Sequence, residues 1–338
     1  MSEKTVAILG ATGVVGQQML QCLEERDFPV GRLVPLASQR SVDAGKAVRF
    51  AGEDVPVRLA EPDAFEGVDI VLGAADDATA RALMPEAVKR GAVCVDNSHA
   101  FRMDADVPLV VPEINAADIA GHHGIIANPN CATIIGLVPV WPLHQIAGVK
   151  RLVVSTYQAA SGAGKPGLDE LVREIGCVAA GEPMGETAPF QYQLAENLIP
   201  QIGGFNEEGY TSEEMKMLNE GRKIMHLPEL RVNCTCVRVP VVRSHSESIT
   251  AEFERPISVE EARAALEAAP GVRVVDDPAT SRYPMPLETS DQDLIYVGRI
   301  RRDLSAPEGV SALTFWCCGD QIRKGAATNA VQIAEHLV

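Results

Sequence analysis

Within its first sixteen residues the chain commits itself to a parallel sheet. Residues 4–9 form a short apolar run that ends on Gly10-Ala11-Thr12-Gly13-Val14-Val15-Gly16, after which Val14, Val15, Met19, Leu20 and Leu23 recur at helical spacing. Strand, glycine turn and amphipathic helix in that order open a βαβ unit, whose strands pair in parallel. Glycines at such a turn let the main chain come close to a pyrophosphate. The helix start adds N–H groups and the positive end of its dipole. The spacing here is G-x-x-G-x-x-G, a variant of the usual dinucleotide fingerprint, but its position between strand and helix is the one nucleotide binding requires. A bland glycine-rich turn is the alternative reading.

The following 110 or so residues keep the same alternation. Strands are expected at 32–38, 68–75, 92–96, 108–114 and 124–129, with helices at 78–90 and 115–120. This is the pattern of an α/β, Rossmann-type, doubly wound parallel sheet. After Cys131 the pattern changes. Helices are expected at 132–146, 167–179, 212–225 and 259–269, and strands at 150–160, 231–242, 246–254, 294–301 and 310–318. A Gly- and Pro-spotted stretch runs to about 211, and a last helix spans 321–337. Long strands with hairpin-like connections point to an α+β domain with a mixed sheet. A chain of 338 residues has room for two domains. The expected division is residues 1–130 with 320–338 for the nucleotide, and 131–319 for catalysis and dimerisation; the apolar side of the last helix, with Ala330, Ile333 and Leu337, returns to the first domain.

A formal net charge of −16 disfavours nucleic acid and anionic membrane surfaces as partners. An anionic substrate would have to be held by particular Arg or Lys residues against the overall field. No run approaches the ~20 apolar residues of a membrane span, and the N-terminus reads as a first strand and not as a cleavable signal. The eight cysteines include no C-x-x-C pair and no zinc-type Cys/His spacing, so no metal is expected. Mostly buried, reduced thiols in a cytosolic protein fit this pattern. Cys234 and Cys236 fall on one face of a strand.

Two places carry chemistry. The second strand ends Ala37-Ser38-Gln39-Arg40-Ser41, without the acid that holds a ribose 2′-hydroxyl; an arginine there suits the 2′-phosphate of NADP. In Asn128-Pro129-Asn130-Cys131, Pro and Asn break a strand and set a thiol at the first turn of a helix, where the dipole favours a thiolate. A buried structural cysteine is the competing reading. A nucleophilic thiol needs a proton-handling partner. Of the seven histidines, His122, His123 and His226 fall in polar loops, His144 in a helix, His336 near the C-terminus, and His99 after a strand. His245 sits at a bend between two strands, seven residues after Arg238, so one element supplies both a carboxylate clamp and an imidazole. Spacing alone leaves the others open.

Taken together, GATGVVG, ASQRS, DNSHAFR, NPNCATIIG, STYQAASGAG, EEMKM, CVRVPVVRSHSES and GDQIRKGAATNAVQIAE resemble, in order, the motifs of the aspartate-β-semialdehyde dehydrogenases, over residues 6–335. The resemblance implies that Cys131 is the nucleophile, His245 the acid/base group titrating near neutrality, and Gln158 the residue orienting the acyl group. It also implies that Arg238 pairs with the substrate α-carboxylate, Glu213 (or its neighbour Glu214) receives the amino group, and Arg102 and Lys216 hold phosphate, with Asn130 beside the substrate. Gly10, Thr12, Gly13, Val14, Val15, Arg40, Ser41, Ser161, Gly162 and Gln321 would line the NADP site. The chain departs from the family pattern at 177–200, which is shorter and lacks a lysine-rich piece.

The implied reaction is the reversible reduction of L-aspartyl-4-phosphate to L-aspartate-4-semialdehyde through a Cys131 thioester, with a backbone N–H near Cys131 facing the oxyanion. The implied assembly is a homodimer or homotetramer using the second domain's sheet. An N-acetyl-glutamyl-phosphate reductase would carry a motif more like GCYPT at the thiol, and a glyceraldehyde-3-phosphate dehydrogenase one like SCTTN; neither is present. A non-catalytic nucleotide-binding paralogue is expected to lose the Cys, the Gln or the His, and all three are here.

Overall fold

The computed structural model describes residues 3–338. The chain divides into two compact units, Met1–Asn130 with Gly325–Val338, and Cys131–Lys324.

In the first unit β1 (Lys4–Leu9), α1 (Val14–Glu25), β2 (Val30–Ala37) and α2 (Gln39–Asp43) lead into a small ribbon of β3 (Ala47–Phe50) and β4 (Glu53–Pro56). After the short β5 (Arg58–Leu59) come β6 (Ile70–Gly73), α3 (Asp77–Lys89), β7 (Val93–Asp96), α4 (Pro112–Asn115) and β8 (Ile125–Ala127). The sheet order is β5-β2-β1-β6-β7-β8, with every pairing parallel. The chain moves outward from β1 through β2, then crosses back to β6 on β1's other side. The order therefore reverses beside β1, where such sheets bind ligands at the carboxyl ends of the strands. Val6, Ala7, Ile8 and Leu9 are all essentially sealed from solvent, as a strand covered on both faces demands. Val6 and Ile8 pack with Met19, Leu20 and Leu23 of α1 and with Ala330, Val331 and Ala334 of the C-terminal helix Thr328–Glu335. Ala7 and Leu9 pack on the opposite face with Phe65, Ala80 and Met84. Arg26 adds a two-pronged pair to Glu335, 2.6 and 2.8 Å, across α1 and the C-terminal helix.

Three expectations need correction here. Residues 108–114 are not a strand: Leu109 makes a single bridge to Ala127, and Pro112, which has no N–H for a ladder, instead starts α4. The last helix does not run unbroken over 321–337. It begins as a π-helical turn, Arg323–Ala327, before the α-helix from Thr328. Residues 320–324 belong to the second unit and not the first, because Asp320 accepts Asp291 N–H at 2.7 Å and Arg323 pairs with Asp293 at 2.8 Å.

The second unit runs α5 (Cys131–Ala147), β9 (Val149–Gln158), α6 (Gly164–Ala180), α7 (Ser212–Ile224), β10 (Arg231–Arg238), β11 (His245–Phe253), α8 (Val259–Ala268), β12 (Val272–Val274), α9 (Pro286–Thr289), β13 (Ile295–Arg302) and β14 (Ser311–Gly319). Its sheet is mixed, in the order β10-β9-β11-β14-β13-β12, with the outer pairs parallel and the inner ones antiparallel. The helix α5, buried along most of its length, packs on β9, β11 and β14. The strand expected over 231–242 stops at Arg238: Pro240 lacks a ladder donor, and Val241 N–H turns back to Val239 O at 2.8 Å. That bend, ending in Ser244 at φ +73°, sets His245 at the start of β11.

Candidate active site

Cys131 is the first residue of α5 and is half-buried, so the thiol lies at the positive end of the helix dipole. Of the other cysteines, Cys22, Cys94, Cys234, Cys236, Cys317 and Cys318 are buried, and all eight are unpaired by disulfides. The Cys131 sulfur lies within electrostatic reach of the Arg238 guanidinium, whose charge it favours.

Strand pairing builds a polar row across the sheet. Arg238 of β10 stands opposite Gln158 of β9. Tyr157 opposite Ser246 places Gln158 and His245 side by side on the same face. All three side chains are buried. Thr156 Oγ1 donates to Gln158 Oε1 at 3.0 Å, Gln158 Nε2 donates to Glu213 Oε1 at 3.2 Å, and Gln158 Nε2 lies 3.4 Å from His245 Nε2. Lys216 Nζ donates to Glu213 Oε2 at 2.8 Å. Arg238 Nη1 donates to Ala159 O at 2.6 Å, while Ala159 N–H donates to His245 Nδ1 at 3.0 Å. A thiol, an arginine, a neutral amide, an imidazole and a carboxylate thus belong to one unit, four of them in a connected network.

The network also separates two adjacent acids. Glu214 closes a capping box: its Oε2 accepts Thr211 N–H at 2.7 Å, its own N–H reaches Thr211 Oγ1, and its Oε1 accepts Cys236 N–H at 3.0 Å. Its carboxylate is committed to the fold. Glu213 faces Gln158 and Lys216 instead.

Burial changes the expected protonation of this row. Desolvation, and then the neighbouring Arg238 cation, lower the His245 pKa to about 3, against a raising effect from Glu213. The expectation that residue 245 titrates near neutrality is therefore corrected: full burial penalises the charged imidazolium. Burial likewise lowers Arg238, opposed by Glu213 and Cys131.

Ser161, Gly162 and Gln321 cluster beside His245 in the same unit. Ser161 Oγ donates to Val242 O, Gln321 Nε2 meets Ser161 Oγ, and Ser244 N–H donates to Gln321 Oε1 at 2.8 Å. A Cβ on Gly162 would fall 2.7 Å from Arg238 Nη1 and 3.0 Å from His245 Cε1.

The remaining sequence candidates lie in the first unit. Gly10 has φ +86°, and a Cβ there would lie 2.5 Å from Ala74 O, so only glycine fits between β1 and β6. Gly13 is the N-cap of α1, Val14 and Val15 begin it, and no side chain caps the helix start. Thr12 Oγ1 and Ser41 Oγ are 3.5 Å apart, bringing the glycine turn to the end of β2, where Arg40 is exposed. Arg102 is buried and donates to Asn97 O at 2.8 Å, and Asn130 is buried at the unit's edge. Asn128 is held by Asn97 at 2.7 Å and by Asn329 at 2.6 Å, a ladder of amides that sets the turn before Asn130.

Residues 5–122 match the family described as semialdehyde dehydrogenase, NAD binding domain, and residues 140–324 match semialdehyde dehydrogenase, dimerisation domain. Aspartate-semialdehyde dehydrogenase of Synechocystis sp. is 50% identical over 334 residues, 98% of this chain and 97% of that one. The chain belongs to the aspartate-semialdehyde dehydrogenase family. The Bacillus subtilis aspartate-semialdehyde dehydrogenase is 48% identical over 339 residues, covering 98% and 96% of the two chains. Among solved structures, aspartate semialdehyde dehydrogenase II from Vibrio cholerae, complexed with ASA, matches with a TM-score of 0.95 at 44% identity, over 100% of this chain and 98% of that one. The enzyme from Candida albicans with NADP matches with a TM-score of 0.76 at 25% identity, over 99% and 98% of the chains. The chain thus carries a nicotinamide-binding domain and, separately, a dimerisation-type domain with a mixed sheet.

Other groups in and beside the network carry little signal in the sequence. Thr156 lies two residues before Gln158 on the same strand face, a spacing that carries the signal once Gln158 is chosen. The main chain of Ala159, which bonds both His245 and Arg238, leaves no trace in a side-chain reading. Glu247, on the next inward position after His245, is fully buried with its pKa raised well above the carboxylate range by burial. A lone acid in an alternating strand gives no warning of this.

Proposed function

We propose that this chain is an NADP-dependent, phosphorylating aspartate-semialdehyde dehydrogenase, which reduces L-aspartyl-4-phosphate to L-aspartate-4-semialdehyde through a thioester on Cys131. The observation that carries the proposal is the connected row of Arg238, Gln158 and His245 with Glu213, in the unit that Cys131 begins. An arginine and a carboxylate at one end fit the carboxylate and ammonium of an amino acid, and Arg238 offers the planar fork that a carboxylate matches. Glu213, and not Glu214, is the acid that supports ammonium recognition, since Glu214 caps α7.

The residues present fit the cofactor. Gly10, at φ +86° and packed against the Ala74 main chain, lets the turn close tightly, and the start of α1 carries no capping side chain or acid that would compete with a pyrophosphate. Gly10, Thr12, Gly13, Val14 and Val15 would hold the phosphates. Arg40 and Ser41 would meet the 2′-phosphate, which favours NADP over NAD because β2 ends without an acid. Ser161, Gly162 and Gln321 complete the proposed set. When bound, the cofactor supplies or accepts hydride at its nicotinamide ring.

The protein's own residues do the rest. The Cys131 thiolate attacks the acyl carbon and phosphate departs, with Arg102 and Lys216 as its proposed ligands. Gln158, oriented by Thr156 and Glu213, fixes the acyl group, and His245 faces the reacting oxygen with an N–H. Asn130 sets the thiol beside the substrate. A homodimer or homotetramer formed through the second unit's sheet fits its half-open far face, where the Tyr157 and Trp316 rings meet tilted at 46° with centroids 5.3 Å apart. Incubation of the purified protein with aspartate semialdehyde, phosphate and NADP is expected to raise NADPH absorbance. No rise overturns the proposal, and a preference for the one-carbon-longer N-acetyl-glutamate semialdehyde reassigns it.

A further inference from the structure

The Gly- and Pro-spotted stretch that precedes α7 is held by two successive residues of α6. Arg173 donates to Met184 O at 2.6 Å and to Glu186 O at 2.9 Å. Glu174 is sealed from solvent, and its Oε2 accepts two main-chain N–H groups, Leu194 at 2.8 Å and Ala195 at 2.7 Å. Leu194 and Ala195 are themselves buried, so both N–H groups need a protein acceptor. Leu171 of α6 closes a small apolar cluster with Leu194, Ala195, Ile199 and Ala160, and Phe190 packs against it.

From that anchor the chain reaches the site in four residues. Gln193 Nε2 donates to Ala195 O at 2.8 Å, Asn197 N–H to Leu194 O at 3.0 Å and Leu198 N–H to Asn197 Oδ1 at 2.9 Å. Glu196 sits at φ +62°, a left-handed conformation that a residue with a side chain keeps only where its surroundings fix it. The turn is a compact spacer, so the place of Ala195 sets the place of Ile199.

Ile199 makes one isolated bridge, and its partner is Arg238. Ile199 N–H donates to Arg238 O at 3.0 Å, and Arg238 N–H returns to Ile199 O at 2.9 Å. The two form a hydrogen-bonded antiparallel pair. β10 is an outer strand of its sheet, and Arg238 is its last residue, with Pro240 just beyond. Strand ends of this kind fray first. Ile199 closes this one from outside, while Gln158 pairs with Arg238 from inside, so the main chain that carries the guanidinium is gripped on both sides. The tether of Nη1, Ala159 O, is backed by Ala160 in the same apolar cluster.

We propose that Glu174 is a positioning residue for substrate recognition: by holding Leu194 and Ala195 it seats Ile199 against Arg238, and so aims the guanidinium at the substrate α-carboxylate. This rests on the reading of Arg238 given above. Glu174 does no chemistry of its own. Its part is to accept two N–H groups at a fixed distance from α6, which an amide oxygen in the same place can also do.

The test uses the intact enzyme in the phosphate-dependent oxidation of aspartate semialdehyde, with KM measured separately for semialdehyde, phosphate and NADP. Glu174→Ala is expected to raise the semialdehyde KM about tenfold, short of the roughly 10²-fold cost of a full 1 Å misplacement, with kcat and the other two KM values within about twofold. Glu174→Gln, which keeps an acceptor oxygen, is expected to stay within about threefold of wild type. A residue that serves the fold alone would lower the yield of active enzyme and Tm and leave KM where it was. In the double variant with Arg238→Ala, the semialdehyde KM is expected to match that of Arg238→Ala alone, because both changes act on one contact. If the alanine variant does not fold, Glu174→Asp, whose carboxyl falls one methylene short of the two N–H groups, is held to the same outcome. An unchanged semialdehyde KM in the folded variant, a glutamine variant no better than alanine, or penalties that multiply in the double variant overturn the proposal. A wild type without dehydrogenase activity, or Arg238→Ala with an unchanged semialdehyde KM, removes the reading of Arg238 itself and the proposal with it.

Discussion

Replacing Gly162 by alanine tests whether Arg238 and His245 are held where the network puts them. The new Cβ would lie 2.7 Å from Arg238 Nη1, 3.0 Å from His245 Cε1 and 3.2 Å from His245 Nε2, against about 3.4 Å for an ordinary contact. Relief therefore requires a shift of roughly 3.4 − 2.7 = 0.7 Å in the guanidinium and 0.2–0.4 Å in the ring. The guanidinium is tethered to Ala159 O at 2.6 Å, so it moves only by straining that bond. Gly162 itself is exposed and is not in the left-handed region, so alanine fits its backbone. Misplacement on the scale of 1 Å costs about 10²-fold in rate, or ~2.7 kcal/mol at 1.36 kcal/mol per tenfold. The expected result is a 10- to 100-fold loss of kcat/KM for the semialdehyde in the phosphate-dependent assay, with Tm changed by no more than about 3 °C. Full activity with an unchanged KM refutes the packing argument. A large fall in Tm would show that the residue acts through the fold.

The two adjacent acids are expected to part company. Glu214→Ala loses the capping box and strands the Cys236 N–H, costing about 2–4 kcal/mol in urea unfolding. Glu213→Gln is expected to unfold normally but to raise the KM for semialdehyde at least tenfold. His245 supplies an acid-side slope: with its folded pKa at about 3, only the unfolded chain takes up the proton as pH falls below about 6.5. Stability is then lost at about 1.4 kcal/mol per pH unit, so between pH 7 and pH 5 wild type should lose about 2 kcal/mol more than His245→Gln in urea titrations. Glu247 works in the opposite direction. Its raised folded pKa means that stability present below the unfolded carboxylate range is lost as pH rises. Glu247→Gln is therefore expected to have a higher Tm than wild type at pH 8 and a similar one at pH 4.5; equal Tm values at pH 8 contradict a neutral buried acid.

The nucleotide-binding half was legible because its signals are local. The buried strand at 4–9, the glycine turn and the periodic apolar face of α1 follow one another without a gap. Where local signals conflict with tertiary ones, reading from sequence went astray. The apolar run PLVVPEI looks like a strand, yet Pro112 ends its ladder after one bridge. The ribbon Ala47–Pro56 gives little signal because its apolar face is only Val48, Phe50 and Val55 among charged residues, and its turn is an inconspicuous Ala51-Gly52, both at positive φ. The candidate site divides in the same way. Cys131 stood out because Asn and Pro frame it, and Arg238 and His245 through their motif. The choice between Glu213 and Glu214 depends on which carboxylate closes a capping box, and that is a matter of rotamers. The protonation of His245 depends on its burial and on Arg238, and its ring is oriented by the Ala159 amide just after β9, 86 positions away in sequence. No spacing rule reaches that far.

The thioester is tested most directly by trapping it. The enzyme is mixed with aspartate semialdehyde and NADP in the absence of phosphate, quenched in acid and analysed by peptide mass spectrometry. The expected result is an aspartyl adduct on the peptide containing Cys131, absent from Cys131→Ala and discharged when phosphate is added. Normal phosphate-dependent turnover with no adduct on Cys131, or with turnover surviving in Cys131→Ala, would contradict the account.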